Sequence, residues 1–252
     1  MSRDTPNHEM RLVGAFFGDI KGYFVEVGAN EPRERSQTWF LEQAGWTGVL
    51  VEPQPDLAVQ LRAKRKARVF EVACSSPENA GRNLSFHVAG PLSSLDRHHM
   101  APGAMPERVI SVPVRTLDSI LNEADTPVAF DFLSIDVEGH EIEVLRGFDI
   151  ARWKPHLILL EDHVGNLSKH RYLLAAGYRI IRRYENNGWY VPRESVAKCG
   201  LDRSLGGRTQ ILPGPAISDV AQFFAQTAQA HHVLISRRSG TLAGGFQSCV
   251  CS

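Results

Sequence analysis

Short apolar runs alternate with stretches of helical periodicity along most of the sequence. Five runs are short, β-branched or aromatic, and apolar nearly throughout: residues 23–29, 48–54, 68–74, 132–139 and 156–162. Strands that are apolar on both faces are typical of a parallel sheet covered by helices on both sides. Helical patterns at 35–45 and 55–67 separate the first three runs. We therefore predict an α/β fold with a doubly wound sheet, and we expect any ligand at the carboxyl ends of its strands.

The second half of the chain departs from this rhythm. Residues 84–115 read as two strands joined by a long loop, and a short helix follows from Thr116. Further on, Asn187-Gly188 predicts a two-residue hairpin and hence an antiparallel end to the sheet. We expect one domain over 1–252 with its core at about 15–195, in which the insert at 84–115 and the extension at 200–252 contribute acceptor or oligomer contacts.

Overall charge and hydropathy limit the partners. The 28 Lys and Arg residues balance the 28 Asp and Glu residues, so no broad basic field favours nucleic acid or a membrane surface. No apolar run reaches the roughly 18 residues of a spanning helix, and the N-terminus lacks an apolar signal core. We expect a cytoplasmic protein, and the apolar segment 221–226 would permit a homodimer contact.

The end of the first strand carries one glycine of a nucleotide-binding loop and lacks the others. Where dinucleotide sites require G-x-G-x-x-G, this chain has Gly28, then Asn30, then Arg33, and Pro32 removes a backbone N–H. A pyrophosphate needs those donors and that clearance. A dinucleotide is therefore disfavoured.

Two acids at neighbouring strand ends indicate a different ligand. Glu52 ends the second predicted strand, and its separation from Gly28 is close to that at which an acid binds a ribose diol in such folds. Glu26 adds negative charge near the same pocket and suits a ligand with a positive group. S-adenosylmethionine has ribose hydroxyls, an ammonium, a sulfonium and no phosphate. An alternative for Glu26 is a structural, ion-paired carboxylate.

Four motifs resemble the FkbM family of S-adenosylmethionine-dependent methyltransferases: FVEVGAN, GWTGVLVEPQP, VRTLDSIL and FLSIDVEGHEIEVLRGFD. The resemblance implies the class I methyltransferase (Rossmann-like) sheet, mostly parallel with an antiparallel C-terminal hairpin, and O-methylation of sugar or polyketide hydroxyls. It implies cofactor contacts at Glu26, Gly28, Asn30, Glu52, Ala73, Cys74, Ser94 and Asp136. Pro32 stands where the family loop usually has glycine, and ordinary turn chemistry is an alternative role for Ser94.

Methyl transfer to a hydroxyl needs a base or a metal, because an alcohol is almost wholly un-ionised at neutral pH. The fourth and fifth predicted strand ends carry candidates for both. His140 is the better base candidate, Asp136 lies beside it, and His163 follows the next strand.

A metal site is a further hypothesis at the same strand ends. Asp136, Glu161 and Asp162 are hard oxygen donors suited to Mg²⁺, and similarity to macrocin-type sugar O-methyltransferases supports such a site. In the alternative, Asp136 and Glu138 cap the helix that begins near His140.

The sequence thus predicts an O-methyltransferase for a small glycosylated or polyketide-like metabolite or a glycan. Two alternatives stay open. One is an N-methyltransferase of protein or nucleic acid, which the neutral charge and the lack of an Asn/Asp-Pro-Pro-aromatic motif disfavour. The other is a non-catalytic module that binds the cofactor.

Overall fold

The computed structural model describes residues 8–97, 105–162 and 166–195. Its helices are α1 (His8–Phe17), α2 (Trp39–Gln43), α3 (Pro55–Lys64), α4 (Leu117–Glu123), α5 (Glu141–Arg146), α6 (Ile150–Trp153) and α7 (Ser168–Ala175). Its strands are β1 (Tyr23–Val27), β2 (Thr47–Val51), β3 (Arg68–Phe70), β4 (Ala73–Cys74), β5 (Asn83–Val88), β6 (Arg108–Arg115), β7 (Phe132–Ile135), β8 (Leu157–Glu161), β9 (Tyr178–Tyr184) and β10 (Asn187–Pro192).

The main sheet has seven strands in the order β3-β2-β1-β7-β8-β10-β9. The first five strands of that order run parallel, and β10 lies antiparallel between β8 and β9. This order confirms the predicted mostly parallel sheet with an antiparallel hairpin at its end. From β1 the chain adds β2 and β3 on one side, and it later adds β7 and β8 on the other. The order of the strands therefore switches between β1 and β7, and the ends of these two strands form a crevice for a ligand.

Alternate residues of each central strand enter two separate cores. Val25 and Leu133 pack in the cluster that includes helices α4 to α7, while Phe24 and Phe132 pack in the cluster that includes α1 and α3. All four side chains are fully buried. Such burial stabilises the fold by about 1.5–3 kcal/mol for each large apolar side chain. The two-sided burial explains why these strands read as continuous apolar runs.

The predicted third strand at 68–74 is two strands in different sheets. β3 ends the main sheet, whereas β4 pairs with β6 in a three-stranded sheet of order β4-β6-β5. Phe70 accepts a backbone bond from Glu52, and Ser75 then donates to Arg115, so the chain changes partners between these points. The change of sheet leaves a space between the ends of β2 and β4.

The C-terminal hairpin is confirmed, but its turn lies earlier in the chain than predicted. Glu185 and Asn186 form the turn, with Glu185 at φ 48°, and Asn187 already pairs with Tyr184. Gly188 serves packing instead, because a Cβ there would lie 2.6 Å from the ring of Tyr190.

No helix in the described ranges combines the length and the apolar character that crossing a bilayer requires. His163 and the segment 221–226 lie outside the described residues.

Candidate active site

A cleft opens at the carboxyl ends of β1, β2, β4 and β7. It encloses about 520 Å³, part of it open to solvent. One wall is apolar and is formed by Val51, Val72, Ala73, Cys74, Phe86 and Leu95. The polar part of the lining includes Glu52, Gln54, Asp136, Glu138 and His140.

Gly28 forms the floor of this cleft. Its φ is +83°, and an added Cβ would lie 1.8 Å from the carbonyl oxygen of Asp136. A positive φ of this kind is unfavourable for residues that carry a Cβ. The amides of Gly28 and Ala29 both donate to the carbonyl of Val51. Glycine at residue 28 therefore allows the chain after β1 to pass close to the chain after β7.

Glu52 holds the two loops that border the cleft. Its Oε2 accepts from the amide of Asn30 at 2.8 Å, and its Oε1 accepts from the amide of Gln54 at 2.9 Å. Burial raises the pKa of Glu52 to about 7, against the opposing effect of these bonds. Asn30 has φ 51°. Asparagine tolerates this left-handed conformation well. The structure brings both predicted cofactor residues to the cleft wall.

Glu26 lies beneath the neighbouring loop and does not line the cleft. Its carboxylate accepts from the hydroxyls of Ser36 and Thr38 and from the amide of Gln37. Burial raises the pKa of Glu26, and the nearby Arg65 guanidinium opposes that rise. These contacts are those of a structural carboxylate, which is the alternative that the sequence left open.

Arg65 completes this buried network. Its guanidinium donates to the hydroxyls of Ser36 and Thr38, both at 2.9 Å, and to the Glu42 carboxylate at 3.2 Å. Arg65 and Glu42 are almost wholly buried as an ion pair. The network fixes loop 31–38, and the sequence offered no signal for the distant Arg65.

Ala73 and Cys74 lie on the apolar wall, as predicted for residues near an adenine. Burial raises the pKa of the Cys74 thiol to about 12. The thiol therefore stays neutral and acts as an apolar contact.

Ser94 is buried behind the cleft wall. Its Oγ donates to the carbonyl of Glu138 at 2.7 Å and accepts from the amide of Asp96 at 2.9 Å. Its neighbours Ser93 and Leu95 line the cleft. Ser94 therefore ties the loop after β5 to the turn after β7.

Three carboxylates meet at the end of the sheet. Asp136, Glu138 and Glu161 each offer one oxygen, and these oxygens lie within 4.8 Å of one another. The sequence predicts Asp162 in this set, and it includes Glu138 only in the alternative in which Asp136 and Glu138 cap α5. Glu138 lies in the turn after β7 at φ 52°, which turns its side chain to the cluster.

Asp162 makes a different set of contacts. It is fully buried, and its Oδ2 accepts from Arg183 at 2.8 Å and from the Tyr190 hydroxyl at 2.6 Å. Successive side chains of a strand point to opposite faces, so the consecutive acids Glu161 and Asp162 do not share a site. This alternation was the sequence signal that could have excluded Asp162 from the metal site.

The cluster carries more negative charge than its surroundings compensate. Burial is the main cause of raised pKa values, which reach about 6 for Asp136, about 7 for Glu138 and about 9 for Glu161. The neighbouring carboxylates raise all three further. The cluster is therefore suited to hold protons or a cation.

A buried ion pair lies beside this cluster. The Lys169 ammonium donates to Glu141 at 2.8 Å, and both side chains are buried. Burial alone would raise the pKa of Glu141, but Lys169 and backbone bonds bring its pKa below the usual value. Glu141 also accepts hydrogen bonds from the amides of Val137 and Gly139, so it supplies a partner for two backbone N–H groups of the turn before α5. Among the described residues, α5 begins after His140 without a side-chain cap, so the structure does not show the cap that the alternative expected from Asp136 and Glu138.

His140 lies at the start of α5 and lines the cleft. Its Nε2 is 2.9 Å from the Ser75 Oγ, which also accepts from Asn79 at 3.0 Å. Burial lowers the pKa of His140, so the neutral imidazole is favoured at pH 7.

The cleft fits S-adenosylmethionine in several respects. Its apolar wall suits an adenine, and Glu52 and Asp136 present carboxylates to hydroxyls and positive groups. The three-carboxylate cluster fits a hard divalent cation, because it offers oxygen donors alone.

Comparison with known families identifies the class. The FkbM methyltransferase domain matches residues 26–180, more than half of the chain. The chain belongs to the FkbM methyltransferase family, and it has the class I methyltransferase fold. No curated protein sequence matches it significantly.

Several solved structures resemble the chain at low sequence identity. Monomeric WbdD is 14% identical, with a TM-score of 0.41 over 75% of this chain and 41% of that chain. WbdD at 2.2 Å is 12% identical, with a TM-score of 0.45 over 77% and 42%. Precorrin-6y C5,15-methyltransferase from Geobacter metallireducens GS-15 is 13% identical, with a TM-score of 0.40 over 76% and 90%. The chain spans about two fifths of the WbdD chains.

Proposed function

We propose that the protein is an O-methyltransferase acting on a hydroxyl of a small glycosylated or polyketide-like metabolite or a glycan. The observation that carries this proposal is the position of Asp136 and Glu138. Both line the cofactor cleft, and both also line a second depression beside it. A hydroxyl placed between the two depressions would meet the donor and a carboxylate together.

The second depression supports a polar acceptor. It encloses about 660 Å³, part of it open to solvent, and Glu34, Arg35 and Gln37 form its far side. These side chains offer both donors and acceptors of hydrogen bonds, as a polyhydroxylated ligand requires.

The residues of the cluster would handle the hydroxyl proton. The cofactor supplies a methyl group bound to a positive sulfur, which an oxygen nucleophile attacks. Asp136 is the proposed base, because burial raises its pKa to about 6. A carboxylate of that basicity accepts a proton near neutral pH more readily than an ordinary one. Asp136 takes the place of His140, the base candidate preferred from the sequence, because His140 does not line the second depression. His163, the other histidine candidate, lies outside the described residues.

A divalent cation, Mg²⁺ or a similar hard ion, is the alternative to the base within this proposal, because a carboxylate that binds the ion is not free to accept the proton. Asp136, Glu138 and Glu161 would hold it, and its charge would lower the pKa of an acceptor hydroxyl. Glu138 replaces Asp162 in the ligand set proposed from the sequence, since Asp162 is bonded to Arg183 and Tyr190.

The experiment is an acceptor screen with labelled methyl donor, with and without Mg²⁺, on the wild type and on Glu161→Gln. Glu161 belongs to the cluster but does not line the cofactor cleft. We expect Glu161→Gln to retain affinity for S-adenosylhomocysteine and to lose about 10²-fold or more in methyl transfer. Glu143→Gln, which removes a carboxylate paired with Arg146 on α5, is the matched control and keeps full activity.

Three outcomes contradict parts of this proposal. Methyl groups found on nitrogen would favour the N-methyltransferase alternative. Cofactor binding with no transfer to any acceptor, together with an intact cellular role in Asp136→Ala, would favour a non-catalytic module. Full turnover in the presence of a chelator would exclude a divalent cation from the proposed mechanism.

A further inference from the structure

The two nitrogens of the His140 ring have different surroundings. Nε2 is engaged by the Ser75 hydroxyl at 2.9 Å. The Asn79 amide already supplies a hydrogen to that hydroxyl oxygen, so the hydroxyl's own hydrogen is available to Nε2. This arrangement allows Nε2 to accept from the hydroxyl with the ring proton on Nδ1, which is the tautomer that the inference uses.

Ser75 is a rigid support for this orientation. It is fully buried, and its amide donates to the carbonyl of Arg115 at 3.0 Å. Its own carbonyl packs against Gly147, where a Cβ would come within 2.2 Å. The imidazole is therefore oriented by packed backbone on the side of β4.

The position of His140 separates it from the acceptor. It lines the cofactor cleft but does not line the neighbouring depression, whereas Asp136 and Glu138 line both. Its hydrogen-bond partner Ser75 directly follows Cys74, which belongs to the apolar wall. His140 thus lies at the end of the cleft that suits a flat aromatic group, away from the point where a hydroxyl would be methylated.

We propose that His140 recognises the adenine of the methyl donor: its Nδ1–H donates to a ring nitrogen of the base. In this role the histidine selects the donor, and the hydroxyl proton goes to the carboxylates. The inference deepens the proposed function and rests on its donor, and it does not depend on which acceptor is used.

The test measures binding of S-adenosylhomocysteine by calorimetry, so no acceptor is required. His140→Phe keeps a ring of similar size and removes the donor. We expect it to bind S-adenosylhomocysteine about tenfold more weakly, as the loss of one hydrogen bond implies. Ser75→Ala, which releases the ring without removing it, should weaken binding by a smaller factor. Circular dichroism and thermal melting check that both variants fold.

Analogues that lack one adenine ring nitrogen identify the bond. Among 1-deaza, 3-deaza and 7-deaza S-adenosylhomocysteine, one should bind the wild type about tenfold more weakly than the parent and bind His140→Phe as well as the parent does. Equal binding of the parent by His140→Phe and the wild type would overturn the inference. The inference would also fail if His140→Phe weakened binding of the parent and of all three analogues by the same factor, because that result indicates packing alone. If the wild type binds no S-adenosylhomocysteine, S-adenosylmethionine is not the methyl donor, and the proposed function fails together with this inference.

Discussion

The carbonyl oxygen of Asp136 lies 1.8 Å from the point where a Cβ atom on Gly28 would be. The two residues follow the paired strands β1 and β7, and the amide of Asp136 donates to Val27. The bare backbone at Gly28 therefore allows the cofactor floor and the acidic cluster to be adjacent.

Gly28→Ala should destabilise the protein and abolish cofactor binding. The substitution combines a strained positive φ with a backbone clash, for an expected loss of about 2–5 kcal/mol in the free energy of unfolding. Thermal melting and calorimetry with S-adenosylhomocysteine measure both effects. Gly81→Ala is the matched control, because Gly81 has φ +79° and open space around it. An equal loss in both variants would show that only φ matters.

Glu52→Gln should change how stability depends on pH. The pKa of Glu52 is raised to about 7 in the folded protein from an ordinary value of 4.5, so the folded state binds more protons between these pH values. The free energy of unfolding therefore falls as pH rises through this window, by roughly 2–4 kcal/mol from this group. Glu52→Gln lacks this contribution.

Melting temperatures of the wild type and Glu52→Gln, measured from acidic to mildly alkaline pH, test this sign. The variant should gain stability relative to the wild type as pH rises. Parallel curves would mean that the two backbone amides on Glu52 keep its pKa near the ordinary value.

Lys169→Met should be strongly destabilising. It leaves the buried Glu141 carboxylate without its cation. Such a loss costs about 3–5 kcal/mol for a buried pair. Urea denaturation of the single variant and of Lys169→Met/Glu141→Gln measures the coupling. The double variant should recover part of the loss, because the unpaired charge is gone. Additive losses would show that the pair acts only through packing.

Asp162→Asn and Glu161→Gln should have opposite effects although the residues are adjacent. Asp162→Asn weakens the contact with Arg183 and lowers stability, while binding of Mn²⁺, used as a probe for a hard divalent ion, is unchanged. Glu161→Gln removes a carboxyl group that must take up a proton on folding at neutral pH, because its pKa is raised to about 9. The variant should therefore be more stable, but it should bind Mn²⁺ at least about tenfold more weakly. Electron paramagnetic resonance of free Mn²⁺ measures metal binding by each variant, and thermal melting measures its stability. Loss of Mn²⁺ binding in folded Asp162→Asn would restore that residue to the ligand set.

The sequence predicted those features that depend on local pattern. The buried parallel strands, the helix opened by Pro55 and the positions of Gly28 and Glu52 follow from periodicity and strand ends. The split of 68–74 into two strands did not, because β4 takes its partners, Val114 and Arg115, from a distant part of the chain.

The parts of the site that escaped prediction are contacts between distant segments. Lys169 reaches Glu141 from α7, and Arg65 reaches Glu42 from the end of α3. Neither cation differs in sequence from one on a solvated helix face. Asp162 was misplaced for a local reason, since two consecutive strand residues cannot face the same cleft.

The buried Arg65 network has an evolutionary consequence. Glu26, Ser36 and Thr38 hold loop 31–38 from within, while Glu34 and Arg35 face outward on its surface. Substitutions at the two outward positions therefore leave the support of the loop intact. Under the proposed function, evolution can therefore alter the outer pair that lines the acceptor depression with no compensating mutation in the interior.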